Sequence, residues 1–291
     1  MSPLVSIVIP CYNCDLYIEE TLTSVLTQSN VDLEVIIIDD GSTDETAIKI
    51  KEFEDQRIRY FYQANSGVSI ARNNGFDKVN GEFVIFFDAD DIMPENFVFS
   101  RVEKMKSKDD ISFLCGEVIK FGTKEISQVK FRGPDNLDLE AQILLYDQRV
   151  ITCPSNFIFK VNFLLKHNIR FESQLSSTAD RYYLLLCKRV GKMNFFEDIV
   201  PLHYRVTANS MSNKMTFNLV QDNEIYYKLL KDNSLVPEKI RNISLFLGDF
   251  ILFGSYWKIG IRAKALKFAM SCFFRNPIRF LSKILNKKIG D

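Results

Sequence analysis

Phe83-Val84-Ile85-Phe86-Phe87-Asp88-Ala89-Asp90-Asp91 runs five apolar residues straight into three carboxylates. An apolar run with no polar alternation suits a strand buried on both faces, as in a parallel sheet. At its carboxyl end, acidic groups packed this closely repel one another unless a cation lies among them. One of them can instead cap a helix, and Asp91, shortly before Pro94, is placed for that. The donors are all oxygen, and His167 and His203 are the only histidines. The cation that suits such a set is Mg²⁺ or Mn²⁺, which also takes phosphate oxygens.

The flanking sequence repeats the same grammar. Leu4–Pro10 and Leu33–Ile38 are Val/Ile-rich runs that predict buried strands, and Ile58–Tyr62 predicts a third. Between them Ile18, Leu22, Val25 and Leu26 fall on one helical face. Ser42 with Glu45 has capping-box spacing for a helix whose apolar side is Ala47, Ile50 and Phe53. Val68–Val79 predicts a further helix, and Pro94 the first turn of another. Strand–helix alternation of this kind predicts an α/β fold with a mostly parallel sheet flanked by helices. Ligands then bind beyond the carboxyl ends of the strands. Three such ends carry polar clusters: Pro10-Cys11-Tyr12-Asn13, Asp39-Asp40-Gly41-Ser42 and Asp88-Ala89-Asp90-Asp91. Asp39 and Asp40 suit a turn and N-cap equally well as a base N–H acceptor. Tyr12 can stack on a base or pack as an ordinary aromatic. Arg72, near a helix start, can pair with phosphate or with a carboxylate of the sheet.

Composition bounds the rest. The 291 residues are 46% hydrophobic and 25% charged, with 37 basic and 37 acidic side chains. That balance is globular, and a zero net charge gives no whole-molecule pull toward nucleic acid. The six cysteines, including Cys11 and Cys14, lack a second closely spaced pair and read as reduced thiols. Met-Ser-Pro opens the chain without the basic and apolar regions of a signal peptide, so a cytoplasmic catalytic part is expected. No GxGxxG or GxxxxGK[ST] is present, so dinucleotide-cofactor and P-loop chemistry lack their loops. The pattern loosens into a mixed region from about Ser107 to Ser212 and is helical from Phe217 onward. Expected domains are therefore 1–212, with halves 1–106 and 107–212, and a helical extension 213–291. From Ser255 onward nine Lys and Arg residues face only Asp291, with Trp257, Phe268, Phe273, Phe274, Phe280 and Leu281 among them. This composition suits an amphipathic surface helix on an anionic leaflet, or a basic cap packed on the rest of the chain. Ile243–Trp257 is too short for a bilayer span and is interrupted by Asp249.

Val5–Asn13, Asp39–Asp44, Gly67–Asn73 and Phe87–Asp91 together resemble the ordered motifs of family 2 inverting glycosyltransferases of the bacterial polysaccharide type. The resemblance is specific over about residues 4–100, weaker to about 212, and does not cover the C-terminal segment. It implies a GT-A fold and a nucleotide-sugar donor, a UDP-sugar first among them. By resemblance Asp39 reads the base beside Pro10 and Tyr12, and Asp88 lies near the ribose. Asp90 holds the Mn²⁺ or Mg²⁺, with Asp88 and Asp91 as further candidates, and Arg72 lies near the donor phosphates or sugar. The acceptor is a saccharide or lipid-linked hydroxyl, in surface polysaccharide synthesis at the inner face of the membrane. Asp180 stands where the family has its general base, but the usual preceding Glu is Ala179. With that like charge absent, Asp180 is expected to stay ionised near an ordinary carboxylate value. His203–Ser212 resembles a Tyr-Arg-x-His segment of the family, with Thr207 where His is common. A non-catalytic nucleotide-sugar-binding protein and a sugar nucleotidyltransferase stay open as alternatives. The latter should carry a Gly-rich loop after the first strand, where Pro10–Asp15 has no Gly.

Overall fold

The computed structural model describes residues 4–122, 127–129, 139–145, 151–207 and 215–287. The chain divides into two units, 1–136 with 148–207, and 137–147 with 208–291.

The first unit is built on a seven-stranded sheet. Its strands in chain order are β1 (Val5–Cys11), β2 (Leu33–Asp39), β3 (Ile58–Tyr62), β4 (Phe83–Phe86) and β5 (Phe113–Cys115). β6 (Val118–Phe121) and β7 (Ser127–Val129) follow, then β8 (Phe157–Lys160), β9 (Met193–Phe195) and β10 (Leu202–Arg205). The order is β3-β2-β1-β4-β8-β5-β9, and β10-β6-β7 form a small second sheet. β1 to β4 run parallel, with Val8 opposite Ile36 on one side and Phe86 on the other. Every residue of β1, β2 and β4 is buried, as their largely apolar runs require, and the buried Ser6 hydroxyl donates to Glu34 across β1 and β2. β8 enters antiparallel beside β4 and β5, so the sheet is mixed at that side.

Helices α1 (Ile18–Leu26), α2 (Thr46–Lys51), α3 (Val68–Phe76) and α4 (Phe97–Ser107) fill the first crossovers. α1 buries Ile18, Leu22 and Val25 as its spacing predicts. The expected capping box ahead of α2 does not form. The Ser42 hydroxyl accepts from Asn13 N instead, and Asp44 Oδ1 accepts from Thr46 N. Pro94 lies in the turn before α4 rather than in its first turn, because Asn96 is left-handed at φ 62° and starts the helix at Phe97. α6 (Val161–Lys166) and α7 (Ala179–Val190) complete this unit. All six cysteines are free and buried.

The second unit holds α5 (Leu139–Leu144), α8 (Phe217–Asp232), α9 (Glu238–Lys258), α10 (Arg262–Arg275) and α11 (Pro277–Lys287). α5 falls in the acceptor half by sequence but belongs here, where the Ser244 hydroxyl donates to Leu144 O. Phe246, Cys272 and Phe280 form the buried cluster of α9, α10 and α11. Among the described residues no helix is long and apolar enough to cross a membrane.

Candidate active site

Parallel strands end together, so β1, β2 and β4 deliver their polar exits to one edge. The exits of β1 and β2 are stitched to each other. Asp40 N donates to Cys11 O, Cys14 N to Thr46 Oγ1, and Thr43 N to the Asn13 side-chain oxygen. Asn13 itself is left-handed at φ 49°, which lifts Tyr12 out, 53% exposed, as a free ring at the strand end. Pro10 is buried in β1, two residues before Tyr12.

Asp39 is fully buried. Its Oδ1 accepts from Ser42 N at 2.8 Å and its Oδ2 from the Tyr60 hydroxyl at 2.6 Å. Each oxygen of the expected base reader thus already holds one donor of the protein's own, and the carboxylate organises its own turn. Asp40 is equally committed, accepting from Gln63 Nε2, Ser66 N and Gly67 N. It thereby fixes the start of α3, where Gly67 sits at φ 92°, a conformation that a side chain disfavours.

α3 presents Ser69, Arg72 and Asn73 on one side, at i, i+3 and i+4. All three reach the segment that leads into α7. The Ser69 hydroxyl donates to Leu175 O, and Asn73 exchanges two hydrogen bonds with the Phe171 backbone. Arg72, only 4% exposed, donates from Nη2 to Asp88 Oδ1 at 2.7 Å and from Nη1 to Asp180 Oδ1 at 2.8 Å. Its guanidinium lies over the Phe171 ring, which stacks on Tyr183 at 4.0 Å. One planar fork thus holds the carboxylate at the end of β4 and the carboxylate at the start of α7. Of the two partners open to Arg72 by sequence, the carboxylates hold it here.

Asp180 is 23% exposed and sits in the first turn of α7. Burial pushes its carboxyl up to about 7; Arg72 opposes the rise, and the Asp88 charge adds to it. The expectation of an ordinary value is therefore corrected. Loss of the neighbouring Glu removes one like charge, but desolvation outweighs it. Ala179 has no exposure at all, so a Glu there would be buried.

The three acidic residues after β4 have different fates. Asp88 is taken by Arg72, and its N–H is accepted by the Ser155 hydroxyl. Asp91 is turned inward and fully buried, with Oδ1 accepting from Arg205 N. Burial and the charges of Asp88 and Asp90 raise its carboxyl well above the usual range. Through Oδ1 it ties this turn to the backbone of β10. Asp90 is half-buried, and burial followed by the Asp88 charge raises it to about 6. Among the described residues no three His, Cys, Asp or Glu side chains converge on one point. The donor set still fits a hard divalent cation, because Mg²⁺ is commonly held by one or two carboxylates plus substrate phosphates. Asp90, whose ionised form burial and the Asp88 charge disfavour more than Arg205 supports it, is the group such a cation would relieve.

Around this turn, Ile92 and His203 pair backbone to backbone, and Arg205 Nε donates to Asp90 O at 2.7 Å. Burial lowers the His203 imidazole. Of the His203–Ser212 segment, residues 208–212 lie outside the described residues. Tyr60, Ser155 and Phe171 are site residues that sequence alone did not single out, and Arg205 stood in the Tyr-Arg-x-His-like segment without an assigned role. The one available signal was the i, i+3, i+4 spacing of Ser69, Arg72 and Asn73, which marks a docking face.

Residues 6–167 match the family described as Glycosyl transferase family 2. Over 259 residues the chain is 36% identical to the uncharacterized glycosyltransferase EpsJ of Bacillus subtilis, across 84% of this chain and 70% of that one. Other curated glycosyltransferases match at 33–40% identity over shorter stretches, and the matches span only 15–45% of their length. Among solved structures, S. aureus TarS 1–349 in complex with UDP-GlcNAc superposes with a TM-score of 0.69 at 18% identity, covering 95% of this chain and 82% of that one. The mannosyltransferase PcManGT from Pyrobaculum calidifontis, in complex with GDP-Man and Mn²⁺, gives 0.62 at 15% identity, covering 99% and 80%. These two likenesses bear on the fold, which is of the GT-A type.

Proposed function

The chain belongs to glycosyl transferase family 2, and from that premise we propose that it transfers a sugar, with inversion, from a nucleotide-diphosphate donor to an acceptor hydroxyl. The observation that carries this reading is the fork of Arg72, which brings the strand end of the donor side within 2.8 Å contact of the same guanidinium as Asp180. The acceptor is a hydroxyl of a saccharide or a lipid-linked saccharide, and the donor a UDP-sugar.

Tyr12 offers its exposed ring as the platform for the base, above the Asn13–Thr43 staple. Asp88 takes the ribose or sugar hydroxyls through the oxygen that Arg72 does not bond. Asp90 would hold Mn²⁺ or Mg²⁺ against the diphosphate, and that ion when bound supplies charge neutralisation for the departing nucleotide. Asp180 removes the proton from the acceptor hydroxyl. Its oxygen then bonds to the anomeric carbon as the bond to the diphosphate oxygen breaks on the opposite face. Arg72 keeps Asp180 aimed and lowers the cost of its ionised form. The transition state has oxocarbenium character, as in glycoside hydrolysis.

The test is UDP release from a panel of UDP-sugars with Mn²⁺, with and without saccharide acceptors. Acceptor-stimulated release that Asp180→Asn abolishes supports the transferase. Nucleotide binding without release from any donor favours a non-catalytic nucleotide-sugar-binding protein.

A further inference from the structure

α10 divides its apolar residues between two sides. Ala265, Phe268 and Cys272 are buried. Leu266, Met270, Phe273 and Phe274, at i, i+4, i+7 and i+8, are exposed together along one arc. α11 extends this pattern with Ile278 and Leu281; Phe274 and Ile278 are 77% and 83% exposed. Single exposed apolar side chains need no explanation, but six on two consecutive helices, four of them on one arc of α10, do.

The border of the row is basic. Arg262 and Lys267 flank the arc on α10, one on either side of it by helical spacing. Lys264 and Arg275 are engaged by Glu224 and Asp249. Arg262 instead bonds Trp257 O and lies over the exposed Trp257 ring, and Lys267 lies over Phe268. Neither forms a salt bridge among the described residues, although Lys267 lies within electrostatic reach of Glu224.

We propose that this side of α10 and α11 docks on an anionic lipid surface. The apolar row enters the acyl boundary, while Arg262 and Lys267 stay at the headgroup phosphates, with Trp257 at the same level. A second copy of the chain fits less well, since a two-fold contact would bring these cations against their own equivalents. The lipid surface supplies both the apolar depth and the opposite charge.

The full chain is sedimented with vesicles of phosphatidylcholine alone and of phosphatidylcholine mixed with phosphatidylglycerol. Binding to the anionic vesicles is expected to exceed binding to the neutral ones by roughly tenfold or more and to weaken with salt. The pair Phe274→Glu with Ile278→Glu should remove it without lowering the melting temperature or UDP release, because both side chains stand in solvent. Arg262→Gln with Lys267→Gln should erase the preference for phosphatidylglycerol. No sedimentation at low salt, or sedimentation unchanged in the Glu pair, overturns the proposal. So does a dimer in light scattering that Phe274→Glu splits, since the occupant would then be a second copy.

Discussion

Asp180 carries the chemistry at the residue scale, and its environment sets a visible pH signature. With its carboxyl raised from 3.8 to about 7, the protonated form dominates below that pH and the base form above it. The rate of transfer at low acceptor should therefore climb about tenfold per pH unit between about 6 and 7, more steeply below about 6 where Asp90 is also protonated, and level off beyond. A flat profile from pH 5 to 8 would show that Asp180 is not the base. Asp180→Asn should lose roughly two to four orders of magnitude in transfer while retaining donor affinity by calorimetry. Arg72→Ala should move the rising limb to higher pH, because the guanidinium is the group that favours the charged form. Asp90 gives a second, separable signature. Raised to about 6, it must lose its proton before a cation can bind, so Mn²⁺-dependent binding of UDP should be strong at pH 7.5 and weak at pH 5.5. Asp90→Asn should abolish the Mn²⁺ dependence at both; an unchanged dependence sinks the assignment.

α3 decides at the element scale whether those residues meet. The helix lies close on the sheet because Gly75 has no side chain: an added Cβ would stand 2.3 Å from Val8 Cγ1 and 3.2 Å from Ile38 Cγ1. Gly75→Ala must therefore push α3 away from β1 and β2, at a cost of about 1–3 kcal/mol. Because Ser69, Arg72 and Asn73 ride on that helix, transfer should fall further than stability alone predicts. Thermal unfolding and UDP release measured on one preparation check both, and an unshifted melting point would contradict the close approach. This element also shows how far sequence carries. β1, β2 and β4 were legible because each is buried on both faces, and the half-exposed β3 because its five residues are mostly aromatic or β-branched. β5, β8 and β9, of three or four residues each, were not, since their pairing joins segments tens of residues apart. Residue types marked the site, but not its wiring. Ser42 spends its hydroxyl on Asn13 rather than on its own helix, and Asp39 accepts from Tyr60, a partner from the next strand. Local spacing cannot report a bond that the tertiary fold chooses.

The same limit governs the whole molecule, where Asp249 reads by sequence as an interruption of an apolar run and proves to be a junction. It is buried on α9, and Ser271 of α10 donates to its Oδ2 at 2.7 Å. Arg275 lies 3.6 Å from Oδ2, and Lys231 of α8 lies 3.7 Å from Oδ1. Three helices thus converge on one carboxylate. Cutting the chain after Ser255 removes Ser271 and Arg275 and uncovers Phe246, whose neighbours Cys272 and Phe280 go with them. Such a truncation would lose vesicle binding merely by unfolding, which is why the exposed Glu substitutions are the cleaner probe. The wiring also predicts an asymmetry between the two sides of the junction. Asp249→Asn removes the buried charge and keeps an acceptor for Ser271, and the two cations it frees are partly in water. Its cost should be about 1 kcal/mol, the scale of a weakened hydrogen bond. Ser271→Ala with Arg275→Ala leaves the carboxylate buried with only the more distant Lys231, and should cost about 3 kcal/mol or more. Denaturant unfolding of the two variants side by side decides it. If Asp249→Asn is the more damaging, the carboxylate is not a junction held by its partners, and the helical unit owes its cohesion to the Phe246–Phe280 contact surface alone.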